Sequence, residues 1–201
     1  MEIEYYSQFG QDEWLIENVF NYKENGYFID CGCGNPTSGS NTYCLEKFFD
    51  WDGIGIDLNI SPDFPKIRKC KSVQAVLSSR IGELKKISFQ GCLSGIMDST
   101  SSNYIKDKTN AIEVYSPTIT LTEILSQLNA PNEIDYFSLD VEGHELEVLK
   151  GIDFSTYKFN VFGIEAPPLG EQTDNLNSYL QTKGYKKLTS PVPRDLFYVP
   201  A

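Results

Sequence analysis

Tyr27-Phe28-Ile29-Asp30-Cys31-Gly32-Cys33-Gly34-Asn35, with Gly39-Ser40-Asn41 just behind it, reads as strand, glycine turn and helix. A short apolar run closes on an acid. The Gly-x-Gly turn that follows lets a ligand lie against bare backbone, because glycine carries no Cβ. The helix beyond offers unbonded N–H groups in its first turn, and these favour a carboxylate or phosphate. The arrangement suits a nucleotide-like cofactor and fits nicotinamide and S-adenosylmethionine (SAM) sites alike.

Working outward, Trp14, Leu15, Asn18, Val19 and Phe20 carry the i, i+3, i+4 spacing of an amphipathic helix ahead of the first strand. SAM methyltransferases usually place helices there, whereas dinucleotide-binding domains often begin at the strand. Ser7 or Asp12 is placed to cap this helix, or the run Ser7–Asp12 folds over the cofactor. Behind the glycines, Asn41 opens a helix through Phe49, and Gly53-Ile54-Gly55-Ile56-Asp57 reads as a second buried strand. An acid roughly 20 residues past the glycines, at the end of the second strand, accepts hydrogen bonds from ribose hydroxyls. Asp57 fits that role. Gly32-Cys33-Gly34-Asn35-Pro36-Thr37 lacks the third glycine of the dinucleotide fingerprint.

The remaining elements follow in order. Ser72–Ser78 is a third strand containing Ala75, and Leu84–Phe89 is an edge strand or hairpin arm. Gly91–Asn110, with Ser94 near its start, is an aperiodic polar loop expected to wall the site. Thr120-Leu121-Thr122-Glu123 is a capping box for a helix to Leu128. Ile134–Leu139 is a central strand with Asp140 at its carboxyl end, and Glu145–Lys150 is a helix closed by Gly151. Phe159–Glu165 is a strand, and Thr173–Lys183 a helix ended by Gly184. Tyr185–Thr189 and Asp195–Val199 are joined too tightly for a parallel crossover, so they pair antiparallel. Ligands on open α/β sheets bind at strand carboxyl ends, where Asp30, Asp57 and Asp140 would converge.

Two hundred and one residues suffice for one well-buried core, so residues 1–201 are expected to form a single domain. A formal charge of −11 repels nucleic-acid backbones and anionic membranes, which argues against a nucleic-acid partner. No window resembles a membrane span and the acidic N-terminus is unlike a signal peptide, so a cytoplasmic protein is expected. Cys31, Cys33, Cys44, Cys70 and Cys92 lack zinc-finger spacing and read as small buried residues of a reducing compartment.

The chain resembles the FkbM-type family of SAM-dependent methyltransferases. The resemblance is carried by Tyr6–Asp12, Asp30–Gly34, Ser40–Tyr43 with Leu45–Lys47, Asp57–Asn59 and, most specifically, Ser138-Leu139-Asp140-Val141-Glu142-Gly143-His144-Glu145 through Gly151. Cys33 with Pro36 makes the first turn less typical, and Asp57 stands where the family often has Glu. The resemblance implies a three-layer, Rossmann-like α/β fold: a mostly parallel seven-stranded sheet with an antiparallel last strand. It also implies methyl transfer from SAM to a hydroxyl of a sugar, glycan or natural-product small molecule. The expected cofactor-binding set is Gln8, Gly10, Gln11, Asp30, Gly32, Gly34, Asn41, Asp57, Ala75, Ser94 and Asp140.

An alcohol attacks well only as a base takes its proton. His144, Glu142 and Asp140 are the candidates. His144 is the single histidine, and a helix N-terminus would keep its ring neutral; Asp140 could instead hold the methionine part of SAM. Asp140 and Glu165 could also hold Mg²⁺, although no metal is expected, since neighbouring strand-end acids arise by default in this fold. Tyr104, Tyr115 and Phe137 could stack on a sugar or belong to the core. The rival readings are a NAD-binding oxidoreductase and a catalytically idle SAM-binding module.

Overall fold

The computed structural model describes residues 2–89, 94–97, 112–165 and 170–201. The chain runs α1 (Gln11–Asn18), β1 (Tyr27–Cys31), α2 (Tyr43–Phe49), β2 (Asp52–Asp57), α3 (Phe64–Ile67), β3 (Lys71–Gln74), β4 (Val76–Leu77), β5 (Leu84–Phe89) and β6 (Gly95–Ile96). It continues through β7 (Ile112–Ile119), α4 (Leu121–Gln127), β8 (Glu133–Leu139), α5 (Glu145–Lys150), β9 (Lys158–Glu165), α6 (Glu171–Thr182), β10 (Tyr185–Leu188) and β11 (Asp195–Pro200).

A seven-stranded sheet has the order β10-β11-β9-β8-β1-β2-β3. All neighbours are parallel except β11, which runs antiparallel to β9 and β10. Strand periodicity divides the core between the two faces. Ile29, Cys31, Phe137 and Leu139 pack with Ile124 and Leu125 of α4, Val148 and Leu149 of α5, and Leu176 and Leu180 of α6. Phe28, Tyr136, Val161 and Phe197 pack instead with Leu15 and Ile16 of α1, Cys44 and Leu45 of α2, and Phe64 of α3. The result is the expected helix–sheet–helix sandwich.

The expected third strand is two strands. Gln74 pairs with Asp57 in the main sheet, Ala75 turns the chain, and Val76 pairs with Thr118 in a second sheet ordered β4-β7-β5-β6. The short β-prone run Ser72–Ser78 conceals that change of sheet, since the partly exposed β3 and the buried β4 follow one another with no turn signal between them. β7 was not anticipated, because most of it is exposed and Pro117 interrupts it. Part of the expected loop is strand β6. Ser94 and Met97 flank it, and the rest of that loop, including Cys92 and Tyr104, lies outside the described residues, as do Pro167 and Pro168. Tyr115 is exposed on β7, and Phe137 is fully buried core.

Three ends differ from expectation. α1 begins after Gly10, which sits at φ 79 with no side-chain cap; Asp12 lies inside the helix and its carboxylate accepts from Tyr6 N, Ser7 N and Ser7 Oγ. α2 begins at Tyr43, and Ser40 Oγ rather than Asn41 accepts from its entry amides, Thr42 N and Tyr43 N. Gly151 is not a left-handed cap, its φ being −80. It is glycine because a Cβ there would lie 2.5 Å from Ser78 O.

Candidate functional site

A cavity of about 1180 Å³ opens at the carboxyl ends of the parallel strands. Its size exceeds what one drug-sized ligand needs and accommodates a cofactor together with an acceptor. The β1–β2 side is formed by the glycine turn, which is bonded to its neighbours on both flanks. Gly32 N and Cys33 N donate to Ile56 O at 2.8 and 3.3 Å, while Asp140 N donates to Cys31 O at 2.9 Å. A Cβ on Gly32 would lie 1.7 Å from Asp140 O. Gly32 is therefore required by the close passage of the β8 end, rather than by a ligand. Gly34, at φ 50, has no atom nearer than 3.8 Å to its notional Cβ, so its bare backbone faces the cavity.

Asp57 stands at the end of β2 and lines the cavity. It accepts from Gly34 N at 3.0 Å and from Asn59 N at 2.8 Å, which fixes the carboxylate at the rim. Asn35 Oδ1 accepts from Thr37 N and Ser38 N, both at 3.0 Å, and shapes the loop that follows. Gly39 N donates to Tyr6 O at 2.9 Å and Gly39 bridges Ser7, so the N-terminal segment is tied over this loop. Gln8 lines the cavity from that segment. Leu58, Ala75, Val76, Leu77 and Ile96 supply an apolar floor, with Ser94 beside them.

The loop is held from behind by a buried charge network. The Arg68 side chain is fully buried and its Nε donates to Glu46 Oε2 at 3.1 Å. Its Nη1 donates to Pro36 O and Ser40 Oγ, both at 3.2 Å, and its Nη2 to Thr42 Oγ1 at 2.9 Å. Thr42 Oγ1 in turn donates to Asp30 Oδ2 at 2.6 Å. Burial pushes the Asp30 carboxyl above its ordinary range, with the Thr42 bond and the Arg68 charge opposing.

The β8–β9–β11 side is different in kind. Register places Leu139 beside Ile164 and Glu165 beside Asp195, so Asp140, Glu165 and Asp195 stand in a row across three adjacent strands. Burial drives the Asp140 carboxyl well above the ordinary range, and the charge of Glu165 and a hydrogen bond to it add to this. Burial likewise pushes Asp195 up to about 7, although Gln11 Nε2 donates to it at 2.6 Å. Glu142 rises to about 7 through burial and then the charges of Glu165 and Glu145.

The turn after β8 is strained: Glu142 lies at φ 56 and Gly143 at φ 93. A non-glycine residue in this region costs on the order of 1 kcal/mol. Glu145 over-determines it, since its buried Oε1 accepts from Val141 N at 3.2 Å and Gly143 N at 2.9 Å. Glu145 thus sets the Glu142 backbone, a positioning role written in the Glu-Gly-x-Glu spacing. His144 is only 3% exposed, lines the cavity, and has Nε2 3.1 Å from Ser78 Oγ.

Of the expected site residues, Gln8, Gly32, Gly34, Asp57, Ala75, Ser94, Asp140, Glu142 and His144 line one cavity. Gly10 and Gln11 stand outside it, Gln11 touching it through Asp195. Asp30 is buried beneath the turn, and Asn41 Nδ2 donates to Ser138 Oγ at 3.0 Å while its buried Oδ1 has no partner. Sequence reasoning missed Asn35, Arg194 and Asp195, whose only signal was their place beside predicted strand ends. Cys31, Cys33, Cys44 and Cys70 are buried and free. Burial raises all four thiols, which disfavours the thiolate a metal would need. Among the described residues no group of three or more His, Cys, Asp or Glu is arranged to hold a metal. No helix among them is long and apolar enough to cross a membrane.

Comparison with known proteins places this geometry. No curated protein matches the chain. Among solved structures it resembles a Plasmodium falciparum protein described as a ribosomal RNA methyltransferase, with a TM-score of 0.52 over 98% of this chain and 97% of that one. At 19% identity the likeness establishes the fold alone. The methyltransferase FkbM domain model matches residues 30–187, from the acid before the glycine turn to the next-to-last strand. The chain therefore belongs to the FkbM family of methyltransferase domains.

Proposed function

We propose that the protein transfers the methyl group of SAM to a hydroxyl of a sugar, glycan or natural-product small molecule. The observation that carries this reading is the single cavity in which a glycine turn, Asp57 and the Asp140–His144 turn face one another within an FkbM domain. The donors present suit SAM: Asp57 is placed for ribose hydroxyls, the Leu58, Val76, Leu77 and Ile96 floor for a flat base, and bare Gly34 for close approach. SAM, when bound, supplies a methyl group made electrophilic by its sulfonium.

The chain's own residues then position the acceptor oxygen and take its proton. Glu142 is the base in this reading. Its carboxyl lines the cavity, its pKa near 7 matches the working range, and Glu145 fixes its backbone. His144, with Nε2 engaged by Ser78, orients the turn from beneath. Asp140 and Glu165, side by side at the ends of β8 and β9, form the wall against which the acceptor lies. A net charge of −11 and the carboxyl-rich wall support a small acceptor over a nucleic acid.

Calorimetry with SAM, S-adenosylhomocysteine and NADH, followed by S-adenosylhomocysteine release on a panel of nucleotide sugars, glycans and small alcohols, tests the reading. Micromolar SAM binding and turnover on a hydroxyl are expected. Heat from NADH with none from SAM would overturn it, and tight SAM binding with no turnover on the panel would favour an idle module.

A further inference from the structure

The chain has three arginines, and Arg68 and Arg80 each have a carboxylate partner. Arg194 has none among the described residues, although among them it is the one Lys or Arg lining a cavity that also exposes Asp57, Asp140, Glu142, Glu165 and Asp195. Guanidinium and carboxylate ordinarily pair, often through two parallel bonds. Here each nearby acid with a defined partner turns elsewhere. Asp195 accepts from Gln11, Asp140 stands beside Glu165 on the neighbouring strand, and Asp57 spends both oxygens on backbone amides.

The Arg194 guanidinium instead lies 5.2 Å from the centre of the Phe9 ring. Stacking on a ring fixes the guanidinium plane while leaving its N–H edges available in that plane. The backbone at Arg194 is left-handed, at φ 67, a conformation an arginine adopts only when its surroundings impose it. Strand order locates the residue within the cavity. Arg194 precedes β11, which is separated from β1 by β8 and β9. Three strand spacings amount to about 14 Å. The backbone of Arg194 therefore stands on the side of the cavity away from the glycine turn, where the acceptor lies if the cofactor occupies the turn, and its guanidinium reaches to Phe9 of the N-terminal segment that covers the cavity.

We propose that Arg194 is a specificity-determining residue that pairs with an anionic group, a carboxylate or a phosphate, on the acceptor. This rests on the methyl-transfer reading and narrows it. Hydroxyl compounds bearing an acid are taken in preference to their neutral counterparts. The surrounding carboxyls oppose such a ligand less strongly than their number suggests, because burial raises Asp140 well above the ordinary carboxylate range and favours its neutral form.

The test uses the full chain saturated with S-adenosylhomocysteine, as wild type, Arg194→Gln and Arg194→Lys. Each is titrated calorimetrically with glucuronate, glucose 1-phosphate and glucose. The two anions should bind wild type at least about tenfold more tightly than glucose, as expected for one charge-assisted pair. The preference should vanish in Arg194→Gln and survive in part in Arg194→Lys, with S-adenosylhomocysteine affinity changed by less than about twofold. Absence of an anion preference in wild type, including failure of all three probes to bind, overturns the proposal. So does a preference that persists in Arg194→Gln. A parallel loss of S-adenosylhomocysteine affinity would assign Arg194 to the cofactor and also overturn it. A wild-type chain that binds no S-adenosylhomocysteine overturns the methyl-transfer reading itself, whereas normal cofactor binding without an anion preference overturns only this inference.

Discussion

On the β1–β2 side of the cavity, Asp57, Asn35, Thr42 and Arg68 all spend their polar atoms on backbone or on one another. On the β8–β9–β11 side, carboxyls face carboxyls, Glu142 and Arg194 hold left-handed backbones, Glu142 and Asp195 are pushed up to about 7, and Asp140 is raised well above its ordinary range. Apart from the unpartnered Asn41 Oδ1, the polar groups described on the first side are held by the chain itself, which makes it a rigid cradle. The second stores electrostatic and backbone strain, which protein structures retain where something is to be bound or transformed. In the methyl-transfer reading proposed above, that contrast separates holding the cofactor from doing chemistry on an acceptor, and substitutions on each side should behave accordingly.

The largest effect is expected at Gly32. Gly32→Ala places a methyl into Asp140 O and adds left-handed strain, for about 3–5 kcal/mol lost in urea denaturation. Gly34→Ala meets open space and should cost only about 1 kcal/mol of stability while weakening SAM binding. Equal stability loss in the two would mean that the turn is not divided between a structural and a ligand-facing glycine.

Arg68→Met comes next. It leaves Glu46 buried without its cation and frees Pro36 O and Ser40 Oγ, so about 3 kcal/mol should be lost, measured the same way. Arg68→Lys should recover part of that, having the charge but not the fork. A stability change below about 1 kcal/mol in Arg68→Met would show that the cradle is not held by this network.

On the strained side the loss should fall on turnover. Glu142→Gln is expected to lower kcat by about 100-fold or more with SAM affinity intact and little change in stability, by single-turnover assay and calorimetry. His144→Ala should retain measurable turnover. Full activity in Glu142→Gln together with loss in His144→Ala would exchange their roles.

The smallest expected effect is in pH dependence. Glu142 and Asp195 bind protons more tightly folded than unfolded, since their carboxyls rise from 4.5 and 3.8 to about 7. Their contribution to stability is therefore greatest below about pH 4 and is lost as pH rises through about 7. kcat/KM should rise through the same region as Glu142 ionises. Glu165→Gln removes a charge that raises both groups, so the rising limb should move to lower pH and the fall in melting temperature between about pH 6 and 8 should shrink. An unchanged pH profile in that variant would show that the acids are not coupled.

The sequence read in isolation determined the layering, the order of the main elements and the antiparallel end, because those follow from local periodicity, glycine turns and connection length. It also determined that Gly34, Asp57, Asp140, Glu142 and His144 belong to one edge, since each follows or ends a predicted strand. Only the tertiary structure divided the roles. Gly32 serves the passing β8 backbone and Asp30 is buried with Thr42, because what a strand-end residue meets depends on its neighbours across the sheet. The split of the run around Ala75 was likewise invisible, since two adjoining strands in different sheets share one apolar pattern. Arg194 was unreadable for the same reason. Its stacking on Phe9, and its lack of a carboxylate partner among the described residues, arise between segments nearly the whole chain apart, and no local pattern records such a meeting.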